Sequence, residues 1–364
     1  MAAGTISTIT GDELVGQLED SGLFLLDVRE PDEVAEWQIP GVHNIPLGTL
    51  DSRLDEIPSE GDVVVICAKG TRAQQGAELL ADHGIASRVL EGGMGSWGST
   101  YDTVSGEFAG ATVVQLRRRG KGCLSYVVGA GDRAVVIDPS RDLVHYLAVA
   151  QQNGWTITHV LDTHLHADHL SGARELAGAC GAALWLNPAD PFQFAFEPLE
   201  DGKSIELAPG VDLVVSSVSV PGHTEGSTMY QLGQQAIFTG DTLFLESVGR
   251  PDLADEAEGY AHHLFHSLHE RVLPLDNDIM VFPAHFGVGV AVYSGRFVAR
   301  RLGELRDELA PLTFDEDEFV RWAVANVKDR PGNYRQIVGI NAGRADLDAS
   351  ASELELGPNR CAIA

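Results

Sequence analysis

The sequence predicts an α/β protein of two units: a parallel-sheet unit first, then a larger strand-and-helix unit carrying a metal site. Three observations predict it. Buried-type strands alternate with helical patterns through residues 5–104, the pattern of a parallel sheet covered on both faces. Residues 99–111 are rich in Gly, Ser, Thr and Ala and read as a linker, with 105–111 separating the units. From residue 112 a new strand pattern begins, and four of its loops offer His or Asp just after an apolar strand. A length of 364 residues suits two domains.

Composition narrows the function classes. With 44% hydrophobic residues the chain can build real cores. It has 53 acidic against 25 basic residues, a formal charge of −28, which argues against nucleic acid or an anionic membrane as partner. A soluble, self-repelling surface accounts for the charge. Adaptation to high salt, where repulsion is screened, is the sharper alternative. No apolar run reaches the roughly 18 residues of a membrane span. Met1 to Thr10 has no basic segment followed by an apolar one, so no secretion signal is expected. Cys67, Cys123, Cys180 and Cys361 are scattered without disulfide or zinc-ribbon spacing, which fits a reducing cytoplasm.

In the first unit, Leu23 to Val28, Val63 to Cys67 and Ser87 to Leu90 read as strands, and Arg72 to His83 as a helix. The chemistry lies in Cys67-Ala68-Lys69-Gly70-Thr71-Arg72. A cysteine ends a strand, and a short Gly-containing loop leads into a helix. Loop N–H groups and the helix N-terminus would face the sulfur and favour an anion there. Lys69 and Arg72 add positive charge. A buried inert thiol is the plainer reading of a lone cysteine, and the cradle argues for a reactive one.

This stretch resembles the rhodanese family of sulfurtransferases. The matching segments are Leu26-Asp27-Val28-Arg29-Glu30, Ile39-Pro40-Gly41-Val42, Asn44-Ile45-Pro46-Leu47, the Cys67–Arg72 loop, and Leu90-Glu91-Gly92-Gly93-Met94 with Trp97. The resemblance implies that Cys67 carries a persulfide and that Ala68, Lys69, Gly70, Thr71 and Arg72 cradle its anion.

The second unit is organised around Thr163-His164-Leu165-His166-Ala167-Asp168-His169. Three imidazoles and a carboxylate are costly to bury unpaired and together make a ready metal site. The apolar stretch Ile157 to Leu161 reads as a strand before it, and a helical pattern from Leu170 to Ala177 follows. The run therefore sits on a strand-to-helix turn. Pro221-Gly222-His223-Thr224, Gly240-Asp241-Thr242 and Pro283-Ala284-His285 each follow a strand. Singly, these would be ordinary loop residues; in this order they point to one rim.

The order HxHxDH, His, Asp, His resembles the metallo-β-lactamase superfamily over about 112–300, which implies an αββα sandwich with a metal site at one edge. Such a set holds two Zn²⁺ or one iron. Leu170-Ser171-Gly172, Gly249-Arg250-Pro251-Asp252-Leu253, His266-Ser267-Leu268-His269-Glu270 and Pro358-Asn359-Arg360-Cys361 look like the persulfide dioxygenase branch. That branch implies one Fe²⁺ per chain on His164, His223 and Asp241. His166, Asp168, His169 and His285 would then support it, or hold an alternative second metal. It further implies Arg250 as the group that binds an anionic substrate. The implied reaction oxidises a low-molecular-weight thiol persulfide, such as glutathione persulfide, to sulfite with O₂. Sulfane-sulfur exchange with sulfite and thiosulfate would run through Cys67. The rival is a dinuclear zinc thioesterase of the glyoxalase II kind. Phe286-Gly287 stand where animal and plant-type dioxygenases usually have Asp-Tyr, which bears on the persulfide accepted.

Three lesser expectations complete the reading. His262, His263, His266 and His269 lie at helical spacing, as a polar face or a second metal site. Cys123 and Cys180 read as inert, and Cys361, near an end, as mobile and oxidisable. Residues 301–364 read as a helical and extended extension of the second unit, wrapping its surface or a second copy in a homo-oligomer.

Overall fold

The computed structural model describes residues 5–363 except 218–219, 254–255, 288, 328–329, 331–332 and 348–350. It divides into two compact units, one of residues 1–102, 118–122 and 356–358, the other of 103–117, 123–355 and 359–364.

The first unit is a five-stranded sheet, β1 (Ile6–Ile9), β2 (Leu23–Asp27), β3 (His43–Asn44), β4 (Asp62–Ile66) and β5 (Ser87–Leu90), in the order β1-β5-β4-β2-β3. Every pairing is parallel. β4 shows why both faces are covered: Val63 and Val65 enter one apolar cluster, Val64 and Ile66 another. This is the period-two alternation of a strand buried on both sides. Helices α1 (Gly11–Val15), α2 (Pro31–Glu36), α3 (Thr71–Asp82) and α4 (Gly93–Trp97) connect the strands.

The second unit has two sheets. One is β12-β11-β10-β9-β8-β7-β6, with β6 Tyr101–Phe108, β7 Ala111–Arg118, β8 Cys123–Ala130, β9 Arg133–Ile137, β10 Thr156–Leu161, β11 Ala183–Leu186 and β12 Glu197–Pro198. The other runs from β13 to β18 in sequence order: Ser204–Ala208, Val211–Ser217, Met229–Leu232, Ala236–Gly240, Met280–Pro283 and Arg300–Arg301. Helices α5 (Val144–Asn153) and α6 (Ala173–Cys180) share a core with Val127, Ala134 and Val136 of the first sheet. Alternate residues Val128, Val135 and Ile137 face the other core, with Tyr230, Phe238 and Phe282 of the second sheet. Helices α7 (Ala257–Ser267), α8 (Leu302–Glu308) and α9 (Glu316–Ala325) pack into that same core through Leu264, Leu305 and Phe319. The layers are therefore helix, sheet, sheet, helix. Helices α10 (Tyr334–Asn341) and α11 (Ala351–Leu354) follow.

The expected linker is not one. Residues 105–108 belong to β6, and Ala109-Gly110 turn the chain into β7. β6 is an edge strand, buried mainly at Tyr101 and Val104, so its polar composition hides it. Gly106 is required there, because a Cβ would lie 2.9 Å from the Phe297 ring. No helix is long and apolar enough to cross a membrane among the described residues.

Candidate metal centre and sulfur loop

The loop after β10 carries His164, His166, Asp168 and His169, all buried. His223 precedes β15, Asp241 follows β16, and His285 follows β17. The parallel pairing of β16 with β17 brings the last two loops to the same edge.

His164, His223 and Asp241 present ligand atoms within 4.8 Å of one another. His164 Nε2 is 3.5 Å and His223 Nε2 3.3 Å from Asp241 Oδ2. None of these three buried atoms has a hydrogen-bond partner. Burying one unpaired polar atom costs about 1–3 kcal/mol, and three that face each other mark a place a cation satisfies.

Their other atoms are held. Thr163 Oγ1 donates to Asp138 Oδ2 (2.9 Å), so it accepts from His164 Nδ1 (2.9 Å). His223 Nδ1–H donates to the Arg250 carbonyl (3.0 Å). Both tautomers therefore turn an Nε2 lone pair inward. Burial, with His166 beside it, holds His164 well below the usual imidazole range. Burial likewise lowers His223, against the pull of Asp241. Neutral imidazoles are what a metal binds. Asp241 is kept well below the usual carboxylate range: burial opposes this, but the charge and hydrogen bond of His285 lead the opposing causes.

His166 stands apart. Its Nε2 lies 3.2 Å from Asp138 Oδ1 and 3.8 Å from Asp162 Oδ1. Burial disfavours its protonation, yet these carboxylates hold it well above the ordinary range. His285 bridges Asp241 (Nδ1, 2.6 Å) and Asp168 (Nε2, 3.0 Å) and is likewise raised against its burial. His169 Nδ1 sits 3.1 Å from Asp168, and despite burial its pKa rises to about 9. Cys123, Asp168, His169 and His285 make a second group of ligand atoms within 4.8 Å.

In the first unit Cys67 directly follows β4 and is buried. Gly70, at φ 95°, turns its N–H onto Cys67 Sγ at 3.1 Å and begins α3. Gly93 explains the Gly-Gly pair: at φ 59° a Cβ there would lie 2.2 Å from the Cys67 carbonyl oxygen. Met94 and Gly95 N–H groups instead donate to the carbonyls of Cys67 and Ala68 (2.9 and 3.2 Å). The back of the loop is thus tied down behind the Gly70 N–H that meets the sulfur. Arg72 is not free over the loop, since it forms a bidentate pair with Glu33 (2.6 and 2.7 Å).

The family comparisons fit this geometry. A Metallo-beta-lactamase superfamily model matches residues 118–285, and a Rhodanese-like domain model matches 10–100. The mitochondrial persulfide dioxygenase ETHE1 of Bos taurus is 31% identical over 211 residues, covering 55% of this chain and 76% of that protein. The chain belongs to the metallo-beta-lactamase superfamily. Within it the chain falls with the persulfide dioxygenases, behind a rhodanese-like domain. The crystal structure of ETHE1 from Myxococcus xanthus aligns with TM-score 0.55 and 26% identity, over 64% of this chain and 98% of that one. The hydroxyacylglutathione hydrolase of Methylobacillus flagellatus is 36% identical over 117 residues, covering 32% of this chain and 46% of that protein.

Against this family background, several residues differ from expectation. Arg250, expected to receive an anionic substrate, is 1% exposed and taken up by Asp252 (Nε 2.7 Å, Nη2 2.9 Å) and the Arg360 carbonyl (3.0 Å). The adjacent Asp252 neutralises its fork, and its backbone carbonyl orients His223. Cys361 is buried rather than mobile. The tail pairs Gly249 with Ala362, and Arg250 N–H donates to the Cys361 carbonyl. Burial, with Asp168 and Asp241 nearby, pushes its thiol well up. Cys123 is buried as expected, but it pairs backbone to backbone with His285 and sits beside the second group. There burial raises the thiol, but the charges of His169 and His285 together with the His169 hydrogen bond outweigh it and lower the thiol to about 7. His262 and His266 both reach Glu316 on α9 (2.7 and 3.2 Å), the polar face of α7.

Other site residues escaped the sequence reading. Asp138, at the left-handed φ of 51°, joins His166 to Thr163 and through it to His164. It follows an apolar strand as Asp241 does, the one signal available. Asp190 accepts from Leu165 N–H (2.8 Å) and Gly226 N–H (2.9 Å), joining two metal loops. Asn341 donates to the carbonyls of His166 and His169, and Asn359 to Asp168. Nothing local in the sequence marks these.

Proposed function

We propose that the chain oxidises a low-molecular-weight thiol persulfide, such as glutathione persulfide, to sulfite with O₂. The metal is one Fe²⁺ on His164, His223 and Asp241. The observation that carries this reading is the set of three unpaired buried atoms, from which His166 is withdrawn by Asp138 and Asp162. Two imidazoles and one carboxylate on one face suit Fe²⁺, which supplies O₂ chemistry and leaves positions open for reactants. The chain's own residues fix that face: Thr163 and the Arg250 carbonyl hold the two imidazoles, and His285 holds the free carboxylate oxygen of Asp241. Arg250 acts here as a positioning residue through its carbonyl.

Residues 5–104 form the sulfurtransferase part and 112–300 the dioxygenase part, with 301–364 as its extension. Cys67 accepts sulfane sulfur, and the N–H groups of 68–72 stabilise the anionic sulfur, with Gly70 already in place. Four free cysteines support a cytoplasmic setting. A homo-oligomer is compatible with this reading.

The test is metal analysis of anaerobically purified protein, with oxygen uptake and sulfite release on adding glutathione persulfide. One iron per chain and persulfide-dependent uptake are expected. The second reading, a dinuclear zinc thioesterase, is favoured by one observation: His169 Nε2 is also without a hydrogen-bond partner, in the group with Cys123, Asp168 and His285. Two zinc ions, brisk thioester cleavage and no oxygen uptake would decide for it.

A further inference from the structure

Two arginines stand near the Cys67 loop in the first unit, and they are placed differently. Arg29 follows β2, the neighbour of β4, and is buried. Its fork is spent on Asp27 (2.7 Å) and the Trp37 carbonyl (2.6 Å), so it serves the fold. Arg72 lies in the first turn of α3, directly after the loop. Its side chain is 35% exposed. The charge of Cys67 acts on its guanidinium, after that of Glu33. The cation best placed to meet an anion at the sulfur is thus turned onto Glu33 (2.6 and 2.7 Å).

Glu33 is the fixed member of this pair. It is the third residue of α2, where its Oε2 accepts the Glu30 N–H (3.1 Å) and closes the first turn. Arg29 Nη1 donates to its backbone carbonyl (3.3 Å). The Arg72 hydrogen bonds bring its carboxyl down to about 2, so it stays ionised at any working pH. When the pair opens, Arg72 is therefore the side chain that swings. Both members are 35% exposed, and an ion pair that open to water is weak enough for a dissolved dianion to compete with. The planar fork that holds a carboxylate suits other oxyanions as well.

We propose that Glu33 sets the donor preference of the sulfur loop by withholding the Arg72 guanidinium from it. A doubly charged sulfur oxyanion, thiosulfate or sulfite, gains the fork only by displacing the Glu33 carboxylate. A persulfide, with one charge at its sulfur, meets the Gly70 N–H without calling on Arg72. The inference rests on the sulfur-transfer reading above and names what regulates it. Glu33 acts through Arg72, as a positioning residue. In the step concerned, the Cys67 thiolate attacks the outer sulfur of thiosulfate. The S–S bond of thiosulfate breaks, a new S–S bond forms on Cys67, and sulfite leaves with the electron pair. Cyanide then takes the outer sulfur as thiocyanate and returns the thiolate.

The experiment has two arms. In the first, thiocyanate formation from thiosulfate and cyanide is followed for wild type, E33Q, R72Q and E33Q/R72Q. Glutamine keeps the contact that closes the first turn of α2, and D32N removes a neighbouring charge as control. E33Q should lower KM for thiosulfate roughly 3- to 5-fold, with kcat changed little. The fall should exceed any change in KM for 2-mercaptoethanol persulfide, which carries one charge. In the R72Q background the same substitution should shift KM by less than about 1.5-fold. R72K, which keeps the charge and lacks the fork, replaces R72Q where melting curves show unfolding. In the second arm, peptide mass spectrometry follows alkylation of Cys67 by anionic iodoacetate and neutral iodoacetamide, which needs no turnover. E33Q should raise the iodoacetate-to-iodoacetamide rate ratio roughly 3-fold, and only where Arg72 is present. An unchanged KM and ratio in E33Q, an equal gain without Arg72, or an equal gain from D32N overturns the proposal. Absence of sulfur transfer from every donor, beside the expected alkylation ratios, instead defeats the sulfurtransferase reading and leaves the Glu33 latch standing.

Discussion

Gly249→Ala adds one methyl group to the centre and removes no ligand. In the structure a Cβ on Gly249 would lie 1.9 Å from the Asp241 carbonyl oxygen and 3.2 Å from His223 Cβ. Non-bonded heavy atoms settle at roughly 3.5 Å or beyond, so the two segments must part by about 1.6 Å. Gly249 is held from the other side by the Ala362 bridge, which limits its retreat. The displacement therefore falls on Asp241 and His223. Metal sites tolerate shifts of only about 0.2 Å in ligand distance. Even outer-shell changes cost roughly 10- to 100-fold in metal affinity, and the same or more is expected here. Overpacking should lower stability by about 1–3 kcal/mol. The assay is iron content after anaerobic reconstitution, with oxygen uptake in parallel. Thiosulfate sulfurtransferase activity serves as internal control, because its loop lies in the other compact unit. An alanine variant that keeps one iron per chain and wild-type kcat/KM would refute the reasoning.

His223→Ala should abolish iron binding and oxygen uptake and leave sulfurtransferase activity largely intact; metal analysis beside a thiosulfate assay checks it. Arg250→Ala should lower metal content and destabilise the fold by roughly 1–2 kcal/mol, because it removes two charged hydrogen bonds to Asp252 while Arg330 stays paired with that carboxylate; a raised KM with full iron and an unchanged melting temperature would restore a direct substrate role. Cys67→Ser should leave persulfide-dependent oxygen uptake nearly unchanged and shift the product from thiosulfate to sulfite, as read by ion chromatography.

The loops at the sheet edge were legible because their chemistry is local. His164 to His169 pack incompatible groups into one turn, and no core explains them. The same holds for Cys67 and Gly70, where strand, loop and helix are consecutive. What stayed hidden depends on partners far along the chain. Arg250 looked available because its neighbour Asp252 and the distant Arg360 carbonyl carry no signal of pairing. Asn341 and Asn359 support the HxHxDH loop from more than 170 residues away. β6 failed for another reason, since an edge strand buries only some of its residues and can be written in loop composition.

The placement of His166 bears on the choice between the two readings of the metal centre. A dinuclear centre would draw on every donor of the HxHxDH run, so His166 would have to be neutral and face the others. Here Asp138 and Asp162 hold its Nε2 at 3.2 and 3.8 Å, and Asn341 fixes its backbone carbonyl. Recruiting it would cost the Asp138 contact, and the same carboxylate orients Thr163 and through it His164. Pulling His166 inward thus loosens the ligand already in place. The Asp138 network thus ties His166 and Thr163 together, which favours the three-residue face over the larger set.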